Sequence, residues 1–282
     1  MSNESERVFI GNGRYALDRM LGAGGAGVVY LAFDTILGRW VAVKKTSSGD
    51  ETVSREAKVM ASFHHPNIVM LHDIIEEGDS IFFVMEFVLG QTLEELAQPM
   101  TEEAFREFAT QCLLGLGSAH EKNVVHRDIK PANLLLDGHG QLWIADFGLA
   151  RINQDPGLTR TGEILGTLRY ASPEQALARP GVIDHRTDVY SLGATLYELL
   201  TLQPIFDGKD RNRLLAQIAT DDPVSPRRLD PTISPELETI VLKACAKERD
   251  DRYLSARDLA EDLKRFLDDR PILARPPSPI ER

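Results

Sequence analysis

The chain has 282 residues, 43% of them hydrophobic and 27% charged, enough to bury a sizeable core; that excludes a wholly disordered chain or a disulfide-stapled miniature. Its 32 basic and 43 acidic residues leave a formal charge of −11, which argues against sequence-independent nucleic-acid binding, since that needs a basic face, and no polybasic membrane patch is visible. Cys112 and Cys245, the two cysteines, give no disulfide framework and fit a reducing compartment.

The amino terminus lacks a charged-then-apolar signal, and the best apolar run stops at Glu86, so a soluble, cytoplasmic protein without a membrane segment is expected. After an arm over 1–14, β-prone segments are predicted at 15–20, 28–33, 40–45, 68–75 and 81–87, separated by Gly, Asp and Ser. One helix, 52–63, interrupts them, with Val53, Ala57, Met60 and Ala61 at helical spacing. Beyond Gly90 the pattern turns helical. The stretch 101–121 opens with two glutamates and carries Phe105, Phe108, Cys112, Leu113 and Leu116 on one face. The stretch 188–201 is apolar almost all round and predicts a buried helix. The last, 255–267, starts on a Ser-x-x-Asp cap and lines up Leu259, Leu263 and Phe266. A small β-rich lobe (15–85) thus precedes a larger helical one (91–268), with the hinge at 86–90. The end, 269–282, carries four prolines and reads as a linker or extended tail.

Gly22-Ala23-Gly24-Gly25-Ala26-Gly27 is the first chemical signal. Glycines let backbone N–H groups approach anionic oxygens. The spacing alone fits a dinucleotide-binding turn, a phosphate-covering loop or a merely flexible one. The β-branched Val28-Val29 that follows decides for strand–turn–strand, because a dinucleotide-binding turn would open a helix. Val41-Ala42-Val43-Lys44 ends an aliphatic strand on a lysine; alone it reads as a lysine reaching for solvent. Glu56, alone, is a surface glutamate; facing Lys44 it would pair with it and hold it toward a phosphate. The decisive run is His126-Arg127-Asp128-Ile129-Lys130-Pro131-Ala132-Asn133, followed by Asp146-Phe147-Gly148. Asp128 can accept a hydroxyl proton, and Asn133 and Asp146 offer hard oxygens to Mg²⁺.

In this order the motifs resemble the eukaryotic-type (Hanks-type) serine/threonine protein kinase domain, most of all its bacterial members, over about nine-tenths of the chain, from Tyr15 to about Asp268. The resemblance also rests on His65-Pro66-Asn67-Ile68-Val69, Gly166-Thr167, Pro173-Glu174, Asp188-Val189-Tyr190-Ser191-Leu192-Gly193 and Arg252. It implies an α+β, bilobal kinase-like fold: an antiparallel β-rich lobe with one helix and a larger helical lobe. It implies an enzyme that moves the γ-phosphate of ATP, with Mg²⁺, to Ser or Thr of protein substrates.

By resemblance, Leu21, Gly22, Ala23, Gly24, Gly25 and Gly27 cover the phosphates, and Lys44 holds them while pairing with Glu56. Asp128 orients the hydroxyl, Lys130 steadies the transferred phosphoryl group, and Asn133 and Asp146 hold the metal. Thr167 hydrogen-bonds near Asp128 and Lys130. Val29, Ala42 and Leu135 sandwich the adenine, Met85 backs its pocket, and Glu86 to Val88 supply backbone hydrogen bonds. Glu174 and Arg252 resemble a buried ion pair, Asp188 an anchor for the catalytic loop, and Met60, Leu71, His126 and Phe147 a stacked column joining the lobes. Ser172 stands where the family usually has Ala. Arg127 implies regulation by phosphorylation at Thr159 or Thr161, through a kinase–kinase dimer for autophosphorylation in trans. The other readings are a nucleotide-binding pseudokinase scaffold and a small-molecule kinase. The first would be marked by loss of Lys44, Asp128, Asn133 or Asp146, none of which is lost; the second is disfavoured by the segment from Gly166 to Glu174.

Overall fold

Alternation along the first strands sorts side chains onto two faces of one sheet. The structure, a computed structural model, describes residues 8–24, 27–47, 63–95, 101–147, 161–177 and 183–275. Strands β1 (Phe9–Ile10), β2 (Tyr15–Gly24), β3 (Gly27–Asp34), β4 (Arg39–Ser47), β5 (Leu71–Glu77) and β6 (Ser80–Glu86) form an antiparallel sheet in the order β1-β2-β3-β4-β6-β5. Successive side chains point to opposite faces. Val41 and Val43 therefore join Ile10, Tyr15, Ala32, Phe82 and Val84 in a closed apolar cluster. Their neighbours Ala42 and Lys44 go to the other face, in register with Leu31 and Val29 on β3 and with Met85 and Phe83 on β6. On that second face Phe83 belongs to the large core cluster, and Met85 packs against it.

A second sheet of three short strands, β7 (Gly90–Thr92), β8 (Leu134–Asp137) and β9 (Leu142–Ile144), follows. Helix α1 (Glu102–Glu121) is capped by Thr101, whose side chain accepts from Ala104 N, and buries Phe105, Phe108, Cys112, Leu113 and Leu116. Then come α2 (Thr161–Leu168), α3 (Pro173–Ala176), α4 (Arg186–Thr201), α5 (Arg211–Thr220), α6 (Pro226–Leu229), α7 (Pro235–Ala244) and α8 (Ala256–Leu267). Helix α4 is buried nearly all round. Helix α8 takes its cap from Ser255, whose hydroxyl accepts from Asp258 N, buries Leu259 and Leu263, and lies along α1. No helix among the described residues is long and apolar enough to cross a membrane.

Three expectations shift. The strand expected over 68–75 begins at Leu71, because Val69 N–H donates to Ile144 O (3.0 Å) and Ile144 N–H to Asn67 O (2.9 Å), so the preceding residues pair with the large lobe. The sheet starts at Phe9, inside the stretch read as an arm, through the pairs Phe9–Ala16 and Ile10–Tyr15. Strands β7 to β9 were not foreseen; three or four residues are too few to show alternation. The helix expected over 52–63 falls, but for Phe63, outside the described residues.

Candidate active site

On the small lobe, β2 and β3 form a hairpin whose tip brings Gly24 opposite Gly27 and Gly22 opposite Val29. Leu21, Gly22, Ala23 and Gly24 are exposed; Gly25 lies outside the described residues. Gly27 has φ +120°, and a Cβ there would sit 2.2 Å from Lys45 O, so only glycine fits. Below the hairpin, Val29 faces Lys44 across the β3–β4 ladder. Lys44 is 3% exposed, and its Nζ donates to Asp146 Oδ2 at 2.7 Å. Glu56, the partner expected for Lys44, lies outside the described residues. Ala42 and Met85 stand opposite each other on β4 and β6; Val88 follows β6 half-buried, and Leu135 sits on β8 between Thr92 and Trp143. The N–H of Glu86 is already taken by Met70 O at 2.9 Å.

The large lobe supplies the second half. Residues 124–129 form neither helix nor strand, and their polar backbone needs partners from outside the segment. Asp188, fully buried on α4, provides them: His126 N–H donates to its Oδ2 (2.8 Å) and Arg127 N–H to its Oδ1 (2.7 Å). His120 Nε2 on α1 meets the same Oδ2 at 2.8 Å. Burial pushes the Asp188 carboxyl up, but the His120 hydrogen bond, the nearby imidazoles and the backbone N–H outweigh it, holding the group below the ordinary carboxylate range. Asp128 N–H donates to His126 Nδ1 (3.2 Å), so that ring carries its proton on Nε2, which donates to Ala145 O at 2.8 Å. Arg127 has φ +69° and Asp146 φ +61°, a left-handed backbone that costs energy in a non-glycine residue; the first adjoins the Asp128 carboxylate and the second carries its own.

The charged groups then converge. Asn133 Nδ2 donates to Asp128 O (2.7 Å) and Asp128 Oδ2 (3.0 Å). Lys130 Nζ lies 2.9 Å from Asp128 Oδ2 and donates to Thr167 Oγ1 at 2.9 Å. Ala145 N–H donates to Asn133 O (2.9 Å), tying the segment after β9 that carries Asp146 to the turn that carries Asn133. With its amide hydrogens on Asp128, Asn133 has Oδ1 left as a hard oxygen donor; with the Asp146 carboxylate it makes a donor set that fits Mg²⁺. No group of three or more His, Cys, Asp or Glu able to hold a metal exists among the described residues.

Packing supports this frame. Phe147 meets His126 edge-on at 4.4 Å and stacks on Phe63 at 6.5 Å, with Leu71 in the same core; Met60 lies outside the described residues. Arg252 forks onto Glu174 through two 2.8 Å bonds, both side chains buried, and Thr187 Oγ1 adds a third at 2.8 Å. Burial raises the Glu174 carboxyl, yet the Arg252 hydrogen bonds and charge outweigh it and leave it lowered. Ser172 opens α3 in a capping box with Gln175, whose Nε2 donates to Arg127 O at 2.8 Å. Thr161 opens α2; Thr159 lies outside the described residues. Both cysteines are buried and their thiols raised by burial, Cys245 to about 12, so neither is reactive. Two contributors escaped the sequence reading. His120 belongs to no motif, and its partner is 68 positions away. Gln175 directly follows Pro173-Glu174 and could have been read with it.

A sheet that sets a buried lysine against the aspartate of a facing helical lobe, over a loop hung on a buried carboxylate, is the architecture of a protein kinase domain. The profile of the family described as protein kinase domain matches residues 15–263, and the chain belongs to that family. It is 41% identical over 276 residues to the probable serine/threonine-protein kinase SCO3848 of Streptomyces coelicolor, covering 92% of this chain and 41% of that relative. It is 38% identical over 267 residues to serine/threonine-protein kinase PrkC of Bacillus subtilis, with 91% and 41% covered. With serine/threonine-protein kinase PknB of Mycobacterium tuberculosis it shares 37% over 274 residues, 92% and 44% covered. The chain spans about two-fifths of the length of these curated relatives.

Proposed function

We propose that the chain is a serine/threonine protein kinase: it transfers the γ-phosphoryl group of ATP to Ser and Thr hydroxyls of proteins. The observation that carries this reading is Lys130 Nζ bridging Asp128 Oδ2 and Thr167 Oγ1, at 2.9 Å each. Both Asn133 and Lys130 contact Oδ2 of Asp128, so Oδ1 is the oxygen presented to an incoming hydroxyl, whose hydrogen it accepts. Lys130 then sits beside the attacked phosphorus and spreads its charge. Lys44 offers the nucleotide a cation held dry by the inner sheet face, where charge–charge attraction is strong. The exposed hairpin 21–24 and Gly27 offers backbone donors, and Val29, Ala42, Leu135 and Met85 offer an apolar slot for the base beside the 86–88 backbone. Magnesium, when bound with nucleotide between Asn133 and Asp146, neutralises phosphate charge; positioning and charge are what a loose phosphoryl-transfer transition state needs.

Transfer to a generic protein substrate from Mg-ATP, compared with Asp128→Asn and Asp146→Asn, tests the reading. Equally poor transfer by all three would establish the nucleotide-binding scaffold instead. We place the chain in the cytoplasm, where ATP and reduced thiols coexist. Autophosphorylation in trans within a kinase–kinase dimer would fall on Thr159 or Thr161, giving Arg127 an anionic partner. Mass spectrometry of active protein after incubation with Mg-ATP checks this; a segment free of phosphate would overturn it.

A further inference from the structure

The chain beyond helix α8 does not leave the domain at once. Asp269, at φ +51°, turns it back, and Arg270 N–H donates to Arg265 O at 2.8 Å. Arg265 Nη1 donates to Pro271 O (3.2 Å), Ile272 packs on the core, and Ala274 is buried. The residue that holds this strap is Asp262 on α8, fully buried and without a basic partner among its hydrogen bonds. Its Oδ1 accepts from Leu273 N–H (2.5 Å), and its Oδ2 accepts from Ala274 N–H (2.8 Å) and Tyr253 Oη–H (2.9 Å). A buried carboxylate is strongly unfavourable unless such donors satisfy it, so strap and carboxylate hold each other in place.

Tyr253 carries the connection inward. Burial, with Asp262 alongside, raises its phenol above the ordinary range, so it stays a donor. The preceding residue is Arg252, which forks onto Glu174 and also donates to Ala246 O (2.8 Å) and Lys247 O (3.0 Å). Glu174 precedes Gln175, which donates to the carbonyl of Arg127, next to Asp128. A continuous set of hydrogen bonds and adjacent residues thus joins Leu273 and Ala274 to the catalytic loop.

We infer that residues 270–275 are a docked strap belonging to the kinase fold, and that Asp262 is a positioning residue: its capture of the strap sets the Tyr253–Arg252 turn, and through Glu174 the catalytic loop. Whatever pulls the strap away or competes for it would loosen that loop. The strap lies beyond the 15–263 family match, and a tail assignment from its prolines would have released it.

The test uses the full chain with Leu273→Pro and Ala274→Pro combined, which removes both strap donors and changes no core side chain but Ala274, and Asp262→Asn, which turns one acceptor oxygen into a donor. Hydrogen exchange is followed at the amides of Asp251, Arg252, Ala176 and Leu177, all bonded in the structure. Both variants should raise exchange there by roughly tenfold while the β3–β4 amides keep their protection. In transfer assays kcat per folded molecule, with the folded fraction measured in parallel, should fall by about fivefold with KM for ATP unchanged. Faster exchange confined to 268–275 would reduce the strap to a passive end and overturn the inference, as would a uniform rise through both lobes. The exchange arm needs no phosphoryl transfer: an inactive wild type that still shows the coupling would sink the proposed function and leave the strap standing.

Discussion

In the small lobe Lys44 is placed by sheet register, whereas in the large lobe Asp128 lies in a segment outside every helix and strand ladder and is placed by the buried carboxylate of Asp188. Lys44 points into the cleft because Val41 and Val43 must face the outer cluster, and a one-residue slip would send it to the wrong side. Its position is shared over many backbone bonds. Asp128 depends on a few individual groups, chiefly Asp188, His126 and Asn133, each irreplaceable by a neighbour. The sheet half should therefore tolerate single side-chain changes, and the loop half should fail one residue at a time.

The harshest test of that contrast is Asp128→Asn. It should cost on the order of 10²- to 10⁴-fold in kcat with the melting temperature nearly unchanged, read by phosphate transfer beside calorimetry. Next is Glu174→Ala, which strands the Arg252 guanidinium in a buried site and should cost about 3–5 kcal/mol of stability, read by urea unfolding. The Glu174 carboxyl is lowered in the native state. Its contribution is therefore present above the ordinary glutamate range and lost as pH falls through the native value. Glu174→Gln should flatten that acid limb; an unaltered pH profile would show that the pair carries no linkage.

A matched pair sharpens the comparison further. Asp188→Asn keeps the shape but puts an amide donor against backbone N–H groups, and should cost about 1–3 kcal/mol along with a marked drop in kcat. Gly27→Ala pushes the hairpin tip away from β4 at Lys45 O and should raise KM for ATP while leaving kcat at saturation closer to wild type. If Gly27→Ala lowered kcat as much as Asp188→Asn, the division between the two halves would fail. The smallest effect is expected from Lys45→Ala. That side chain is exposed and only covers the Phe82 ring at 5.7 Å, so about 0.5–1 kcal/mol and unchanged transfer should be measured.

What the sequence disclosed follows the same divide. The four residues Val41 to Lys44 read alone as a lysine reaching for solvent, and only the order of the motifs turned Lys44 toward a phosphate; Asp128, Lys130 and Asn133 sit within one short run. Long helices announced themselves by periodicity, with two glutamates opening the first and a cap at Ser255 opening the last; the Thr101 cap emerged only in the structure. Hidden features are those whose cause lies far off in the chain. The segment 67–69 looks like strand and is strand-like, but its partner is β9. His120 looks like any helix-face histidine until Asp188 arrives from α4. The contact of Lys44 with Asp146 joins residues 102 positions apart and was not foreseen. The strap read as a linker because prolines carry no trace of the Asp262 that receives it.

The hold of Asp188 on the loop also dictates an order of events in folding. Its bonds to His126 and Arg127 close separations of 62 and 61 residues, and its third partner sits on a helix completed before the loop is reached. Long closures of this kind form late and slowly. A chain emerging from synthesis can finish its small-lobe sheet from largely local pairings while the catalytic loop waits, its amides on water, until α4 has emerged and packed against α1. Nucleotide-binding surface should therefore precede catalytic competence in time, and a nascent chain stopped before α4 should hold the sheet without an ordered loop.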